Sequence, residues 1–559
     1  MVNLRQRLLL SARTRAFALA VIFAAVTMVA LTRIVWLGID GPNGSSTLAA
    51  TTLVPDRGEI TDRRGEPLAR DYPKAYSLWF NPEAMEDGGA PLVRSPQVIA
   101  ARLKAVMPEL DEAATIERLF AGKKTYLSRR ILPEQANAVH AIGEAAIETP
   151  QEVERHYPQG RLAAHVLGRL KELEDVGLVG EFGMEKALNA RLLDSELRAT
   201  PAALSIDIRV QGALEDAMER GRLAARAIGA AGVVLDVDTG EVLALASLPD
   251  FNPNRISESD KFNVLNRVTN VPAELGSTFK PLTIAAAIDA GVVRDLTQSW
   301  NAKPVEIANR SFPDFDDKGE RLNIPQALAY SSNTVTMRVA DQLGGERLSR
   351  VLADLHMNAE LPIELPSSAA PFWPDGKWSR LTTMTVGYGH GISVTPLHLA
   401  SAYAAMVNGG LWRKPTLMKL EPGDIPAGKR VFKASTSSRM RQLLRMIAKF
   451  GTGRSADAQG YRVGGKTGSA EKLVNGRYVK TKLISSFAAA FPMDRPRYVV
   501  VVALDEPEAT DFIGGRTAAF NAAPIVGELI PRIGPMLGVR PDNVRDVDIS
   551  DLAHLVEAR

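Results

Sequence analysis

The chain has 559 residues, of which 45% are hydrophobic and 23% charged, so it is long enough for two or three globular domains and does not have the composition of a disordered protein. It contains no cysteine, which excludes disulfides, iron–sulfur clusters and thiolate metal sites. The net charge is +3, but residues 1–39 hold five arginines and no acidic residue, which leaves −2 for the remainder. A nucleic-acid-binding face would need a clustered basic patch in that remainder, and we find none there, so nucleic acid is not an expected partner.

The first predicted element is a membrane anchor. Residues 16–32 are 17 consecutive uncharged residues, and the apolar run resumes after Arg33. This predicts a cytoplasmic tail over 1–15 and a single transmembrane helix over 16–39, with the chain after about residue 40 exported, because arginines precede the run. A cleaved signal peptide is the alternative. No small-residue cleavage site follows closely, so we favour the uncleaved anchor.

The rest of the chain divides by composition. Residues 40–52 are rich in Gly, Ser and Thr and predict a linker, and residues 53–203 predict a region of short strands and charged helices without a catalytic constellation. In residues 204–540, strand patterns come early and late, and helical patterns lie between them. This order predicts an α+β domain whose sheet is built from both ends of the segment. Residues 541–559 are polar, and we expect a peripheral tail.

A serine and a lysine open one helical pattern in the stretch AELGSTFKPLTIAAA. Ser277 and Lys280 are three residues apart, which places them on one face of a helix, with Ser277 near the positive end of its dipole. A desolvated lysine can lose its proton and activate a neighbouring hydroxyl. Taken alone, the motif is better explained as a helix start with a surface lysine.

A second short motif, Ser331-Ser332-Asn333, lies 54 residues further on. Ser331 offers a hydroxyl for proton relay and Asn333 an amide that can orient a peptide bond. An ordinary helix cap is an equal explanation, and the same spacing recurs at Ser299 and Asn301.

The third motif, Lys466-Thr467-Gly468-Ser469, begins 135 residues after Ser331 on a predicted strand. Its cation and its hydroxyls can hold a carboxylate, and a glycine lets a substrate backbone approach. A hairpin strand with one charge is the simpler reading of this motif alone.

The ordered set of three motifs resembles that of penicillin-binding proteins and serine β-lactamases. RGEITDRRGEPLA (57–69), YPQGRLAAHVLGRL (157–170), GLVGEFGMEKAL (177–188) and GYGHGISVTPLHLASAYAAMVNGG (387–410) are similar to further motifs of the class B penicillin-binding proteins. The resemblance covers roughly residues 10–535 and is greatest to the division-specific, FtsI-type branch. It implies an α+β fold, in which a transpeptidase-like domain with a mainly antiparallel sheet stands on an elongated α+β pedestal.

The resemblance also implies roles for the motif residues. Ser277 would be the nucleophile, Lys280 its base, Ser331 a proton relay and Asn333 a ligand of the substrate amide. Lys466, Thr467 and Ser469 would bind the terminal carboxylate of a D-Ala-D-Ala stem peptide, and Gly468 would be a further substrate-binding residue. The backbone N–H groups of Ser277 and Ser469 would form the oxyanion hole. No cofactor or metal is implied.

Two departures from the family pattern are visible. Glu274-Leu275-Gly276 stands where the family usually has Glu-Pro-Gly, and Ser469 stands where threonine is usual. Both keep the glycine turn and the hydroxyl that the chemistry needs. A β-lactamase is disfavoured, because no Glu-x-x-Leu-Asn segment follows the second motif.

Residues outside the three motifs invite structural explanations. His390, in GYGHGIS, could line the cleft or be structural. We expect Arg57, Asp62 and Arg63 to form a charged network that ties the two domains together.

The expected activity is a septal peptidoglycan D,D-transpeptidase of the inner membrane, with its catalytic domain in the periplasm. It would act on stem peptides as donor and as amine acceptor and be inhibited by β-lactams. Resemblance implies a septal glycan polymerase of the SEDS family (FtsW type) and other division membrane proteins as partners. The alternatives are an elongation-specific transpeptidase, a β-lactam sensor and a non-enzymatic division scaffold.

Overall fold

The computed structural model describes residues 57–557, apart from 83–89, 174–176, 257, 367 and 475, together with Val21, Thr27 and Met28. The predicted cytoplasmic tail and linker, and all but three residues of the predicted anchor, therefore lie outside the described residues. Within the described part, no helix is both long enough and apolar enough to cross a membrane.

The N-terminal part is built around a mixed sheet. Its long second strand pairs with the first, third, fourth and fifth strands, and the first pairs in parallel with the eighth. The sixth and seventh strands form a separate hairpin. The strands are β1 (Ile60–Thr61), β2 (Pro67–Phe80), β3 (Thr125–Ile131), β4 (Ile147–Glu148), β5 (Gln151–His156), β6 (Arg169–Leu173), β7 (Gly177–Phe182) and β8 (Ala202–Ala203). The helices are α1 (Pro96–Val106), α2 (Glu112–Phe120), α3 (Pro133–His140), α4 (Ala164–Leu167), α5 (Gly183–Ala187) and α6 (Asn189–Leu193).

Two hydrophobic clusters divide this N-terminal part. Leu78 and Ile99 belong to a cluster confined to it. Leu68 and Val166, in contrast, share one cluster with Val233 of the C-terminal part. The inner end of the N-terminal part is therefore packed directly on the domain that carries the three motifs.

A five-stranded antiparallel sheet forms the centre of the described C-terminal part, in the order β10-β9-β19-β18-β17. These strands are β9 (Gly229–Asp236), β10 (Val242–Leu248), β17 (Gly464–Val474), β18 (Arg477–Phe491) and β19 (Tyr498–Asp505). Three short pairs lie outside it: β11 (Trp300–Asn301) with β14 (Arg321–Leu322), β12 (Val305–Ile307) with β13 (Arg310–Phe312), and β15 (Leu411–Trp412) with β16 (Lys429–Arg430). The predicted assembly of one sheet from early and late strands is confirmed.

Helices cover both faces of this sheet. Alternate residues of β19 point to opposite sides, so Val499 and Val501 enter one cluster, and Val500 and Val502 enter another. The helices of this part are α7 (Ile208–Ala224), α8 (Lys280–Asp289), α9 (Ile324–Ala329), α10 (Asn333–Leu343), α11 (Gly345–Asp354), α12 (Arg380–Gly387), α13 (Pro396–Val407), α14 (Ala434–Phe450), α15 (Ala522–Met536) and α16 (Ser550–Glu557).

The described part of the predicted tail, residues 541–557, differs from the expectation of a peripheral segment. Helix α16 places Leu552 and Val556, four residues apart, on one face, and both are buried in the main hydrophobic cluster. The Tyr330 hydroxyl donates to the Val556 carbonyl at 2.9 Å. The surrounding polar residues concealed this narrow apolar stripe, and the segment is part of the domain.

The predicted charged network between the two parts is only half right. The backbone N–H of Ile208 donates to the Asp62 carboxylate at 3.2 Å, and Arg63 pairs with Glu241 at 3.6 Å. These two contacts do join the N-terminal and C-terminal parts. Arg57 instead makes its contacts within the N-terminal part, because its side chain points back into that part's own buried charge cluster.

Candidate active site

Ser277 lies on a tight turn. Residues Gly276–Phe279 form one 3₁₀ turn, and α8 continues from Lys280, whose N–H donates to the Ser277 carbonyl. Gly276 has a φ of +54°, and a Cβ there would lie 3.2 Å from the Ser469 carbonyl oxygen. The glycine thus allows a left-handed turn to pack closely on the third motif. Ser277 remains partly exposed.

Lys280 points into the interior, and its residue is 0% exposed. Its ammonium nitrogen donates to the carbonyl of Ser331 at 2.5 Å and lies 3.1 Å from the Ser331 hydroxyl. A surface lysine at a helix start, which the isolated motif suggested, is therefore excluded. The first two motifs meet at the Ser331 hydroxyl.

The three residues of the second motif make different contacts. Ser332 is the cap of α10 and accepts from the N–H of Val335 at 3.2 Å, so the helix-cap explanation is correct for the middle serine. Ser331, immediately before it, has a φ of +60°. This left-handed backbone is uncommon for a residue other than glycine, and it turns the Ser331 side chain toward the two lysines. Asn333 is partly buried, and its side-chain amide has no hydrogen-bond partner among the described residues.

An aspartate that the sequence analysis did not select holds this motif in place. The Asp314 carboxylate accepts from the Ser332 hydroxyl at 2.7 Å and from the N–H groups of Asn333 and Thr334 at 2.5 and 3.0 Å. It also accepts from the Thr334 hydroxyl at 3.2 Å. Asp314 precedes the motif by about a helix and a loop and carries no local pattern, so no signal in the sequence pointed to it.

The third motif lies on β17 beside the other two. Lys466 is 0% exposed, and its ammonium nitrogen lies 3.0 Å from the Ser331 hydroxyl. The Thr467 hydroxyl lies 2.6 Å from that of Thr452, and the Ser469 hydroxyl accepts from the N–H of Ala518 at 3.1 Å. Two lysines from motifs that lie far apart in the chain therefore share one serine hydroxyl.

Gly468 has a structural reason to be a glycine. A Cβ at this position would lie 2.3 Å from the Leu275 carbonyl oxygen and 2.8 Å from the Thr278 side chain. The sequence analysis assigned the missing side chain to the approach of a substrate. The structure shows that the turn carrying Ser277 occupies the space in which a Gly468 side chain would lie.

The pKa values of the two buried lysines are both lowered. Burial lowers the pKa of Lys280 well below its usual value, and the charge of Lys466 lowers it further, while Asp314 opposes the shift. Burial also lowers the pKa of Lys466 to about 7, and Lys318 contributes to that shift. Lys318 pairs with Asp316 and is a further cation near the site that the sequence analysis did not select. Burial and the charge of Lys466 thus make the uncharged amine more favourable at Lys280 than at an ordinary exposed lysine.

The structure brings Lys280 and Lys466 to the same Ser331 hydroxyl and packs the Ser277 turn against β17. It does not join Ser277 to Lys280 through their side chains, since the Ser277 hydroxyl has no hydrogen-bond partner within the described residues. Catalytic hydrogen bonds are often long or absent before substrate binds. The roles assigned to the individual residues remain predictions.

Comparison with known proteins gives the family. Residues 230–530 match the penicillin-binding protein transpeptidase domain, and residues 52–198 match the penicillin-binding protein dimerisation domain. The chain belongs to the penicillin-binding protein transpeptidase family. The dimerisation domain is the region that the sequence analysis described as a pedestal.

Relatives within the family align over most of the chain. The probable peptidoglycan D,D-transpeptidase FtsI of Caulobacter vibrioides is 34% identical, over 87% of this chain and 82% of its own length. Peptidoglycan D,D-transpeptidase FtsI of Escherichia coli is 29% identical, over 92% and 90%. A crystal structure of penicillin-binding protein 3 from Mycobacterium tuberculosis, complexed with aztreonam, has the same fold, with a TM-score of 0.66, 23% identity and coverage of 87% of this chain and 98% of that one.

Proposed function

We propose that this protein is a serine-type peptidoglycan D,D-transpeptidase that cross-links stem peptides at the division septum and is inhibited by β-lactams. The family assignment and the names of the FtsI relatives support the reaction class and the division role. The observation that carries the chemistry is the convergence of Lys280 and Lys466 on the Ser331 hydroxyl, beside the Ser277 turn.

In the proposed acylation step, the uncharged amine of Lys280 takes the proton of Ser277, whose oxygen attacks the penultimate D-Ala carbonyl. The backbone N–H groups of Ser277 and Ser469 hold the oxyanion, and each such donor contributes about 2.7–4 kcal/mol. Lys280 returns the proton through Ser331 to the departing D-alanine nitrogen.

The substrate would be held from both sides of the cleft. Asn333 orients the amide of the substrate, and the side-chain amide of Asn333 is available for this role. Lys466, Thr467 and Ser469 bind the terminal carboxylate. An amine of a second stem peptide then attacks the acyl-enzyme, and a β-lactam stops the enzyme after the first step.

The location follows the same proposal. Residues 16–39 anchor the chain in the inner membrane by a single span, with residues 1–15 in the cytoplasm and the catalytic domain in the periplasm. A septal glycan polymerase of the SEDS family (FtsW type) and other division membrane proteins are the proposed partners. The apolar run described above and the FtsI-type relatives support this arrangement.

Labelling tests the chemistry. The full-length protein is incubated with a fluorescent penicillin, and the labelled peptide is identified by mass spectrometry. We expect the label on Ser277 and its loss in Ser277→Ala. Ser331→Ala should label much more slowly, whereas Ser299→Ala is the matched control, because the exposed Ser299 carries only the chance copy of the spacing. Label on any other residue, with Ser277→Ala labelled normally, would refute the proposal.

Complementation separates enzyme from scaffold. Cells that depend on Ser277→Ala should place the protein at the septum and fail to cross-link septal peptidoglycan. Normal division of those cells would favour the non-enzymatic scaffold.

A further inference from the structure

Glu274, three residues before the proposed nucleophile, forms a cluster with His390, Tyr478 and Tyr388. Its carboxylate oxygen Oε1 accepts from the Tyr478 hydroxyl at 2.8 Å and from the N–H of Gly391 at 3.0 Å. Its other oxygen, Oε2, is buried, has no hydrogen-bond partner among the described residues and lies 3.3 Å from the His390 Nδ1. The His390 ring is 5.6 Å from that of Tyr478 and 4.9 Å from that of Tyr388.

This cluster is built against the nucleophile turn. Ala273 pairs with Val394, and a Cβ at Gly389 would lie 2.2 Å from the Gly276 carbonyl oxygen. The loop that carries His390 is therefore in backbone contact with the residue that precedes Ser277. The His390 side chain is 27% exposed, so one edge of its ring is open to solvent.

The arrangement fixes the chemistry that His390 can perform. A carboxylate beside Nδ1 favours the tautomer with its proton on Nδ1, which leaves a lone pair on Nε2. No described residue bonds to Nε2. Burial lowers the pKa of His390 even though Glu274 and Glu471 act to raise it, so the ring is uncharged at neutral pH. The mechanism derived above gives this base no role.

We infer that His390 is the base that takes a proton from the acceptor amine, and that Glu274 is the positioning residue that orients its ring. The inference rests on the proposed transpeptidase function. A stem-peptide amine arrives as an ammonium ion and cannot attack in that form. His390 Nε2 takes one proton and becomes an imidazolium paired with Glu274. The uncharged amine attacks the acyl carbonyl, its nitrogen–carbon bond forms, and the bond to the Ser277 oxygen breaks.

The remaining protons are accounted for. The second proton of the attacking nitrogen passes to the Ser277 oxygen through Lys280, which restores the free hydroxyl. The imidazolium then gives its proton to water. Because Lys280 carries the second proton to the Ser277 oxygen in this step, the first proton of the ammonium ion needs a separate acceptor. A second base at the acceptor side supplies it.

The test compares two amines on one acyl-enzyme. An N-acyl-D-alanyl thioester acylates the full-length protein, which then partitions between water and an added amine. D-Alanine arrives as an ammonium ion, whereas methoxyamine is already uncharged at neutral pH. In His390→Asn, whose amide keeps a donor at the Nδ1 position, we expect the aminolysis-to-hydrolysis ratio to fall at least about tenfold with D-alanine. With methoxyamine the ratio should change by less than about threefold. His554→Asn, on the exposed face of α16, is the matched control.

The pH profile supplies a second readout. In the unaltered protein the D-alanine ratio should rise as His390 loses its proton and then level off. Glu274→Gln should move this rise to lower pH, because the carboxylate that favours the imidazolium is gone. The Glu274→Gln variant also tests the acceptor-base role of His390 if His390→Asn does not fold. The charged and titratable groups that face His390 are Glu274, Glu471, Lys280, Tyr388 and Tyr478.

Each outcome decides one proposal. An unchanged D-alanine ratio in His390→Asn, or equal losses with both amines, overturns the acceptor-base role and leaves a packing role. Failure of the unaltered protein to react with the thioester refutes the transpeptidase function itself.

Discussion

Two clusters of buried charge in this protein have opposite compositions. In the N-terminal part, Arg57 and Arg155 are each 2.7 Å from a carboxylate oxygen of Glu185, and Arg155 is also 3.2 Å from Asp71. Burial alone would lower the pKa of Arg155, but Glu185 and Asp71 raise it. In the active site, Lys280 and Lys466 face each other across one neutral hydroxyl.

The difference separates stability from reactivity. The N-terminal cluster pairs two cations with two anions, so every charge is compensated and removing one partner is costly. The active-site cluster contains cations only, apart from Asp314 at its edge, and so favours release of a proton. Compensated charges hold the N-terminal part together, whereas uncompensated charges lower the pKa of a buried lysine.

The largest expected effect concerns the base. Replacing Lys280 by methionine should lower the rate of acylation by a penicillin roughly 10²- to 10⁴-fold, the usual contribution of a general base. The free energy of unfolding should not fall, since an apolar side chain replaces a buried, poorly compensated amine. Stopped-flow labelling and thermal unfolding measure the two quantities. The exposed Lys303→Met is the control, and an acylation rate within threefold of the unaltered protein would remove Lys280 from the mechanism.

In the N-terminal cluster we expect a substitution to lower the free energy of unfolding and to leave the acylation rate nearly unchanged. Glu185→Gln leaves Arg57 and Arg155 without their shared carboxylate, and it should lower the free energy of unfolding by about 3–5 kcal/mol. The acylation rate of the folded fraction should stay within about twofold. Chemical denaturation checks the first value.

A matched control comes from the neighbouring hairpin. Glu181 pairs with Arg169 at a half-exposed position, and Glu181→Gln should cost less than about 1 kcal/mol. Equal losses in the two variants would mean that the buried cluster has no special stabilising role.

The sequence predicted the parts of this comparison unevenly. The continuous apolar run of β19 and the turn between β9 and β10 are local signals, so the central sheet could be expected from them. The side-chain partners of Arg57, Glu185 and Asn189, lie 128 and 132 residues away along the chain, and no local pattern shows such a contact. The prediction therefore placed Arg57 between domains.

The site shows the same division. The order and spacing of short residue patterns identified the three motifs. Spacing alone cannot show that the motifs converge in space, and their proposed roles depend on that convergence. Asp314 and Glu274 were not predicted as site residues for that reason, since each makes its contacts with residues distant in the chain. The narrow apolar face of α16 escaped because polar residues surround it.

A smaller effect tests the anion at the edge of the lysine pair. Asp314→Asn keeps one acceptor oxygen but replaces the other with a donor, so some of the four hydrogen bonds to the second motif are lost. Hydrogen bonds to a charged group contribute about 1.5–3 kcal/mol, so the acylation rate should fall roughly 10- to 150-fold. Asp317→Asn in the same loop is the control. Equal rates in both variants would show that Asp314 does not hold the motif in its active position.

The smallest expected effect is a pH dependence. Because the pKa of Lys466 is lowered to about 7, its ammonium is present below that pH and is lost as the pH rises through it. The carboxylate of a penicillin loses its cationic partner as the pH rises through this value. Acylation by a penicillin should therefore decline about tenfold from pH 6 to pH 8. Loss of the Lys466 charge also lets the pKa of Lys280 rise, so a second penicillin is needed to separate the two lysines. A penicillin whose carboxylate is esterified gains nothing from the ammonium, and its acylation rate should not decline. A parallel decline for the ester would assign the effect to another group and would contradict the role of Lys466 as the carboxylate partner.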